Sequence, residues 1–305
     1  MAIFLGVDAG GSKTTCAVGD DTSTLATATS GGSNVTRCGE GAARIELQEA
    51  MQAACVAARI RLADVSRICI GMAGAARPVT SAVIRDIVAE IYSGELEIVG
   101  DMVIAMQAAF GDRPGAIVIA GTGSIAYGRN SRGETARAGG WGYEISDEGS
   151  GHWIGRAAIS AVMRAEDLDE AAPTGLALSI LRAWHLNSLD DLVRAANASP
   201  PADFSSLFPH VLAAADAGDP VARTVLTQAG TELAALAKIV ITRVLEDEPT
   251  IPVGMSGGVF RSSSLVRNVF YNSVRSEYPN AAIGGGIIEP VKGALELARK
   301  GAARY

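Results

Sequence analysis

Short apolar runs and helix-type spacing alternate along the first third of the chain. The apolar run Ala2–Asp8 ends in glycines, and Thr14–Val18 resumes with β-branched residues. Strand-type runs joined by a few glycine-containing residues are typical of a hairpin, so we predict strand, turn and strand here. Apolar residues then recur at helical spacing within Gly41–Leu62, which predicts the first helix.

Two strand and helix units follow this helix. Continuous apolar runs predict buried strands, and helical spacing predicts the segments after them. In chain order we predict a strand at Arg67–Met72, a helix at Val79–Tyr92, a strand at Leu96–Val99 and a helix at Met102–Phe110. The next residues, Gly111–Gly115, include Pro114 and are the best candidate for a domain boundary.

The same order restarts after Gly115. We predict a strand at Ala116–Ala120 and its hairpin partner at Ser124–Gly128. The segments Arg67–Gly74 and Thr250–Gly257 also match, because each is an apolar run that ends in Gly, Met, a small residue and Gly. We infer two related halves, each a glycine hairpin followed by βα units, and therefore an α/β fold.

Most of the extra length of the second half lies in Gly155–Leu245, where nearly all of the spacing is helical. Glycine and proline interrupt this stretch at three places, which are Pro173–Gly175, Ser199–Pro201 and Gly218–Pro220. We therefore predict a layer of several helices.

Composition narrows the class of protein. The 305 residues are 48% hydrophobic and 19% charged, which suits two folded domains and argues against a disordered chain or a coiled coil. The net charge of −7 gives no field that would attract nucleic acid or an anionic membrane. Cys16, Cys38, Cys55 and Cys69 are widely spaced, which argues against structural zinc or a disulfide framework.

No targeting or membrane segment is predicted. The N-terminus lacks the basic region of a secretion signal. The most apolar stretch, Leu233–Leu245, is shorter than the roughly 20 residues that span a bilayer. We expect a cytoplasmic protein with no nucleic-acid or membrane partner.

The first glycine turn is a candidate phosphate site. Gly10 and Gly11 would let backbone N–H groups approach a phosphate, and Ser12, Lys13 and Thr14 would add side-chain donors. A P-loop is excluded, because Ser12 stands where that motif needs glycine and a strand follows in place of a helix. The turn either binds phosphate or is a plain turn.

Asp8, at the end of the first strand, has two interpretations. It could hold Mg²⁺ through water, or it could cap the turn that follows.

The second half carries a matching turn. Gly121, Thr122 and Gly123 follow a strand just as the first glycines do, and two such hairpins suit a triphosphate. Gly257 and Gly258 follow a later strand, where they could lie close to a nucleotide base or ribose, or could form an ordinary βα turn.

Asp101 is the candidate general base. It comes directly after an apolar strand and before a helix, and open α/β sheets carry their catalytic groups at the carboxyl ends of strands. A sugar kinase needs one carboxylate to accept the proton of the acceptor hydroxyl. The alternative role for Asp101 is a helix N-cap.

Two further segments suit a sugar. Gly139–Ser150 combines glycines, the aromatic plate of Trp141 and carboxylates that include Asp147. Gly31–Asn34 offers the amide of Asn34, which could bind a polar ligand or form an Asx turn.

These motifs, in this order, resemble the N-acetylglucosamine kinase and BadF/BadG/BcrA/BcrD ATPase branch of the actin, hexokinase and heat-shock ATPase superfamily. The most specific are Gly121–Ser124 and Gly139–Ser150, and the likeness runs from the first strand to the last helix. The resemblance implies two RNase H-like (actin-like ATPase) domains, residues 1–111 and 112–289, with ATP in the cleft between them. It also implies that a closing helix, at about 290–305, packs back on the first domain.

The resemblance also implies roles for single residues. Ser12 and Thr122 would touch the phosphates of ATP, and Asp101 would be the base. The amino sugar would be held by Asn34, Ser124, Trp141 and Asp147. Gly257 and Gly258 would lie beside adenosine. The reaction would move the γ-phosphate of ATP, with Mg²⁺, to a sugar hydroxyl, most often the 6-hydroxyl.

Several alternatives stay open at this point. The sugar could be glucosamine, N-acetylglucosamine, N-acetylmannosamine or a muramic acid. The chain could also be an ATPase of the BadF/BadG type that acts as an activator, or a sugar sensor without turnover. A homodimer is the default expectation for its assembly.

Overall fold

The computed structural model of the protein describes residues 2–168, 174–200 and 202–301. The chain divides into two compact units, Met1–Arg113 with Ile288–Tyr305, and Pro114–Ile287. The division after Arg113 falls inside the boundary segment Gly111–Gly115 that the sequence suggests. Pro173 and Pro201, within two of the three predicted helix breaks, and residues 302–305 of the predicted closing helix lie outside the described residues.

Ten strands and eleven α-helices are described. The strands are β1 (Phe4–Ala9), β2 (Thr14–Gly19), β3 (Thr24–Ser30), β4 (Arg67–Met72), β5 (Glu95–Val99), β6 (Gly115–Ala120), β7 (Ser124–Arg129), β8 (Thr135–Gly139), β9 (Ile251–Ser256) and β10 (Ala281–Ile288). The helices are α1 (Val35–Ala58), α2 (Pro78–Ala89), α3 (Asp101–Phe110), α4 (Gly151–Asp167), α5 (Gly175–Ala183), α6 (Leu189–Ala196), α7 (Phe208–Asp216), α8 (Pro220–Val240), α9 (Gly258–Ser262), α10 (Ser264–Glu277) and α11 (Pro290–Lys300).

The first unit is built on a five-stranded sheet with the order β3-β2-β1-β4-β5. Strand β1 runs antiparallel to β2 and parallel to β4, which in turn is parallel to β5. The register places Asp8 opposite Gly71, and Gly71 opposite Val99. The carboxyl ends of these three strands therefore share one edge of the sheet, where Asp8 and Asp101 lie.

One layer of the first unit joins the two ends of the chain. Helix α11 packs against α3, β1 and β4, and all four elements contribute residues to one apolar cluster. Glycine makes the close approach possible, because a Cβ on Gly6 would collide with the backbone of Leu295, and one on Gly293 with the carbonyl oxygen of Ile104. The helix that begins at Pro290 thus completes the sheet's second layer.

The second unit repeats the first. Its sheet has the order β10-β9-β6-β7-β8, with β6 antiparallel to β7 and parallel to β9. Read from its other edge, this is the order of the first sheet with each strand replaced by the fifth strand after it. The matching segments Arg67–Gly74 and Thr250–Gly257 contain β4 and β9, which occupy the same position in the two sheets.

Helices α4 to α8 form the predicted helical layer over the second sheet, with α8 at the centre of its core. The apolar stretch Leu233–Leu245 belongs to a longer helix, because α8 and the wider turn Ile241–Leu245 together span 26 residues, Pro220–Leu245. By length and composition it is the one described helix that could cross a membrane. More than half of its most apolar window is buried inside the protein, as in a core helix.

The structure corrects several predicted elements. The sequence analysis predicts no strand at β3, β8 or β10, and β10 contains the three glycines Gly284–Gly286. Helix α1 begins at Val35, six residues before the predicted Gly41, and continues through a kink at Gly39. Asp101 is the first residue of α3, and Gly100 is its N-cap, so the alternative role for Asp101 as the cap is wrong.

The contact between α3 and α11 gives a stability prediction. Replacing Gly293 with alanine would make the new methyl group collide with the carbonyl oxygen of Ile104 on α3. We therefore expect the free energy of unfolding to fall by about 1–3 kcal/mol. Urea denaturation measures it. Gly41→Ala is the matched control, because Gly41 is helical with open space around it, and we expect no loss there. Equal urea midpoints for Gly293→Ala and wild type would contradict this packing.

Candidate functional site

The first glycine turn joins β1 to β2. It is closed by the amide of Gly10, which donates to the carbonyl oxygen of Lys13 at 3.1 Å. The side chains of Ser12 and Lys13 are exposed, and Asp8 is half-buried just before the turn. Exposed donors on a tight turn are the arrangement that a phosphate site requires.

The chain entering α1 is held against this turn. The amides of Ser33 and Asn34 both donate to the carbonyl oxygen of Gly10, at 3.1 and 3.2 Å. A Cβ on Gly32 would collide with the carbonyl oxygen of Gly11. The backbone therefore fixes the turn and the start of the helix as one piece.

Thr14 differs from its neighbours in the predicted phosphate site. Its side chain is fully buried, and its hydroxyl oxygen lies 2.7 Å from both the carbonyl oxygen of Gly31 and the hydroxyl of Ser33. These contacts join β2 to the segment before α1. The predicted contact of Thr14 with phosphate stays a prediction, and the structure gives this side chain a role in holding the turn.

Asn34 is the N-cap of α1. Its Oδ1 accepts a hydrogen bond from the amide of Thr36 at 3.1 Å, and its Nδ2 donates to the carbonyl oxygen of Ala73 at 3.3 Å. The second proton of Nδ2 is the group that could meet a ligand. Asn34 thus links the first turn to the loop after β4.

Asp101 lies at the end of β5, half-buried, with its Oδ1 accepting a hydrogen bond from the amide of Met102 at 2.9 Å. Desolvation raises the pKa of its carboxyl above the ordinary value for aspartate, and hydrogen bonds from the backbone of Met102 and Asp101 oppose this only in part. A carboxylate with raised basicity is a better proton acceptor.

Asp8 could supply one carboxylate ligand to Mg²⁺, with the other ligands coming from phosphate and water. No group of three or more His, Cys, Asp or Glu side chains could hold a metal ion within the part of the chain that the structure describes. Mg²⁺ commonly binds through one or two carboxylates together with substrate phosphates and water. A single carboxylate beside a phosphate turn is compatible with that mode.

The second glycine turn joins β6 to β7 and repeats the construction of the first. The amide of Gly121 donates to the carbonyl oxygen of Gly123 at 2.9 Å. The amides of Gly151 and His152, at the start of α4, donate to the carbonyl oxygens of Gly121 and Thr122 at 2.8 and 3.2 Å. Again the start of a helix fixes the turn.

Ser124 and Asp147 meet next to this turn. The hydroxyl of Ser124 is buried and donates to the carbonyl oxygen of Glu148 at 2.7 Å. Asp147 is buried with a left-handed φ of 68°, and its carboxylate lies against Gly123, where a Cβ would come within 2.6 Å of Oδ2. The structure thus brings these two predicted sugar contacts together, while Trp141 of the same loop is 59% exposed.

Gly257 and Gly258 follow β9 in the second unit. A Cβ on Gly257 would collide with the backbone of Ala120, so the glycine lets β9 end directly against β6, whereas Gly258 faces open space. Gly257 also has a left-handed φ of 99°. The open side at Gly258 is compatible with a nearby ligand.

Sequence reasoning missed a polar cavity in the second unit. It has a volume of about 270 Å³ and is lined mainly by Leu212, Asp216, Arg223, Leu226, Ser262 and Asn268. Helix α9, which begins at Gly258, ends at Ser262 on its wall. The serines after α9 and the break before α8 were visible in the sequence, but only the packing of α7, α8 and α10 brings them together.

Known proteins are similar to this chain over nearly its whole length. Residues 5–298 match the sequence pattern of the BadF/BadG/BcrA/BcrD ATPase family. An N-acetylmuramic acid/N-acetylglucosamine kinase of Clostridium acetobutylicum is 33% identical over 98% of this chain and 99% of its own. An N-acetyl-D-glucosamine kinase of Dictyostelium discoideum is 30% identical over 97% of each chain.

A solved structure supports the fold. A protein of Chromobacterium violaceum, provisionally described as an N-acetylglucosamine kinase, superimposes with a TM-score of 0.77 at 26% identity, over 97% of this chain and 98% of its own. The predicted two-domain α/β fold and the resemblance to this family are confirmed. The chain belongs to the BadF/BadG/BcrA/BcrD ATPase family.

Proposed function

We propose that this protein is a kinase that transfers the γ-phosphate of ATP to a hydroxyl of an amino sugar. The 6-hydroxyl is the acceptor that we assign. The observation that carries the proposal is Asp101, a desolvated carboxylate at the carboxyl end of β5 whose basicity is raised. Its support is the nearly full-length similarity to two proteins described as N-acetylglucosamine kinases.

In this reaction Asp101 accepts the proton of the sugar hydroxyl. The hydroxyl oxygen then forms a bond to the γ-phosphorus while the bond from phosphorus to the bridging oxygen breaks, and ADP leaves. One positioned carboxylate suffices as base, because the charge of the phosphoryl group is stabilised by other groups.

We assign the binding of the ATP phosphates to the two glycine turns. We assign them Gly10, Gly11, Ser12, Lys13 and Thr14 in the first unit, and Gly121, Thr122 and Gly123 in the second. Asp8 would hold Mg²⁺, which when bound neutralises the negative charge of the phosphates. The lysine and the backbone amides of the turns supply the remaining positive charge.

The residues that we assign to sugar binding are Asn34, Ser124, Trp141 and Asp147. The buried carboxylate of Asp147 would accept hydrogen bonds from sugar hydroxyls, and the exposed ring of Trp141 offers a flat apolar face. The sugars acted on by the two relatives place an N-acetylated amino sugar ahead of the other candidates.

We assign the adenosine part of ATP to a place beside Gly257 and Gly258. Helix α9 begins at Gly258 and ends at Ser262, which lines the polar cavity of the second unit. The polar lining of this cavity suits a base and ribose. We therefore assign this cavity to adenosine.

The cysteines weigh against the activator alternative. An activator of this family would use cysteines to bind an iron–sulfur cluster, yet Cys16, Cys55 and Cys69 are buried. Burial raises the pKa of the Cys55 thiol to about 11, which disfavours the thiolate that binds iron. A cytoplasmic homodimer with no nucleic-acid or membrane partner is the remaining part of the proposal, and dimers are the commonest assembly.

Asp101→Asn tests the base. The amide cannot accept the proton, so we expect kcat to fall by about 100- to 10,000-fold while ATP still binds. Coupled ADP release measures the rate. The matched control is Glu97→Gln, which makes the same change to a half-buried carboxylate on β5 and should keep wild-type turnover. Wild-type rates in Asp101→Asn would remove Asp101 as the base.

The raised pKa of Asp101 gives the reaction a pH dependence. The base works only when ionised, so kcat/KM for the sugar should fall as pH falls through the pKa of Asp101, above the usual range of aspartate near 4. The pH profile of kcat/KM measures this, with circular dichroism at each pH to show that the fold persists. A rate that stays constant down to the ordinary aspartate range would contradict the assignment.

Ser262→Phe tests the nucleoside cavity. A phenyl ring in the cavity should exclude adenosine and raise KM for ATP by roughly tenfold or more, a loss of about 1.4 kcal/mol in binding, with KM for the sugar unchanged. Steady-state kinetics with each substrate varied in turn measures both constants. Ser276→Phe, on the exposed face of α10, is the control. An unchanged KM for ATP in Ser262→Phe would show that the nucleoside binds elsewhere.

A further inference from the structure

Arg137, on β8, is a half-buried cation without an ion pair. Its guanidinium carbon lies 4.0 Å from the centre of the Trp141 ring, and its Nη1 donates to the carbonyl oxygen of Gly139 at 3.1 Å. Within the described residues no carboxylate pairs with it, although Arg67 and Arg299, which are also largely buried, bind Glu95 and Glu296. A guanidinium held in this way, with no carboxylate partner, can pair with a carboxylate that a ligand carries.

The position of this cation is fixed. Strand β8 pairs with β7 so that Arg137 lies opposite Tyr127, and Arg243 donates from Nη1 to the carbonyl oxygen of Arg137 at 2.9 Å. The ring of Trp141 and the carbonyl of Gly139 then orient the planar guanidinium. Since a guanidinium has five N–H donors and one is used here, a donor pair remains for a carboxylate.

Arg137 lies beside the groups to which we assign the sugar. The strand register places Gly139 opposite Ile125, the residue after Ser124. A Cβ on Gly139 would lie 3.4 Å from the carbonyl oxygen of Ser124. The segment from Arg137 to Trp141 therefore starts at the edge of the cluster formed by Ser124 and Asp147.

The charges of the loop give this cation a selective role. Glu144, Asp147 and Glu148 are all acidic, so without Arg137 the loop would repel a negatively charged substrate. A bidentate bond from arginine to a carboxylate is among the stronger polar contacts in proteins. One arginine stacked on an aromatic ring can thus decide whether an acidic sugar is accepted.

We propose that Arg137 binds a carboxylate carried by the substrate, so that the kinase accepts amino sugars with an acidic substituent as well as neutral ones. The inference rests on the proposed kinase function. It assigns the substituent to a place beside Trp141, where the ring packs on the carbon atoms and the guanidinium pairs with the charge.

The test compares two sugars that differ by one acidic group. N-acetylmuramic acid is N-acetylglucosamine with a lactyl ether that carries a carboxylate. We expect Arg137→Ala to lower the ratio of kcat/KM for the acidic sugar to kcat/KM for the neutral sugar by about 10- to 100-fold, the size of a charge-assisted hydrogen bond. Arg164→Ala, which removes the same charge from the exposed end of α4, should leave the ratio as in wild type.

Two further measurements keep the proposal testable if Arg137→Ala folds poorly. Arg137→Lys keeps the charge but loses the planar fork, so the ratio should fall by less than in the alanine variant. The methyl ester of N-acetylmuramic acid, given to the wild-type enzyme, should be used less well than the free acid by a similar factor.

The outcomes separate this inference from the kinase proposal. A wild-type enzyme that phosphorylates neither sugar would overturn the kinase proposal itself. If the enzyme phosphorylates N-acetylglucosamine but not the acidic sugar, or if the ratio is the same in Arg137→Ala and wild type, the role of Arg137 is overturned and the kinase stands.

Discussion

In each unit, backbone amides at the start of a helix donate hydrogen bonds to the carbonyl oxygens of a glycine turn. Amides before α1 donate to Gly10 in the first unit, and the first amides of α4 donate to Gly121 and Thr122 in the second. Each turn is thereby tied to the start of the helix that follows the third strand of its unit. The rigidity matters because a site for phosphate requires backbone N–H groups that are already in place.

The sheet order turns this local constraint into a reaction site. Strands β1, β4 and β5 are parallel, so their carboxyl ends bring Asp8, the loop after β4 and Asp101 to one edge. Desolvation makes Asp101 more basic at the edge where the first turn would bind phosphate. Basicity and placement together are what a base for phosphoryl transfer needs, since positioning and charge supply most of the catalysis.

The sequence predicted those elements whose signal is local. Buried parallel strands read as apolar runs, so β1, β4, β6 and β9 were visible, and glycine turns mark their own ends. Strands β3, β8 and β10 lie at sheet edges. Threonine and alanine dominate β3, β8 has no large apolar residue and β10 contains three glycines, so none shows a continuous apolar run. The stacking of Arg137 on Trp141 depends on how the loop after β8 folds back, and the cavity lined by Ser262 depends on the packing of separate helices, so no local pattern records either feature.

Release of ADP from the wild-type protein, supplied with ATP, Mg²⁺ and a sugar, is the most direct measurement of the proposed kinase activity. The sugars supplied would be glucosamine, N-acetylglucosamine, N-acetylmannosamine, N-acetylmuramic acid and glucose. We expect ADP release to depend on an N-acetylated amino sugar, with one phosphate transferred to the sugar for each ADP formed. ATP hydrolysis at the same rate with every sugar and with none would contradict it, and would favour an ATPase that drives another process.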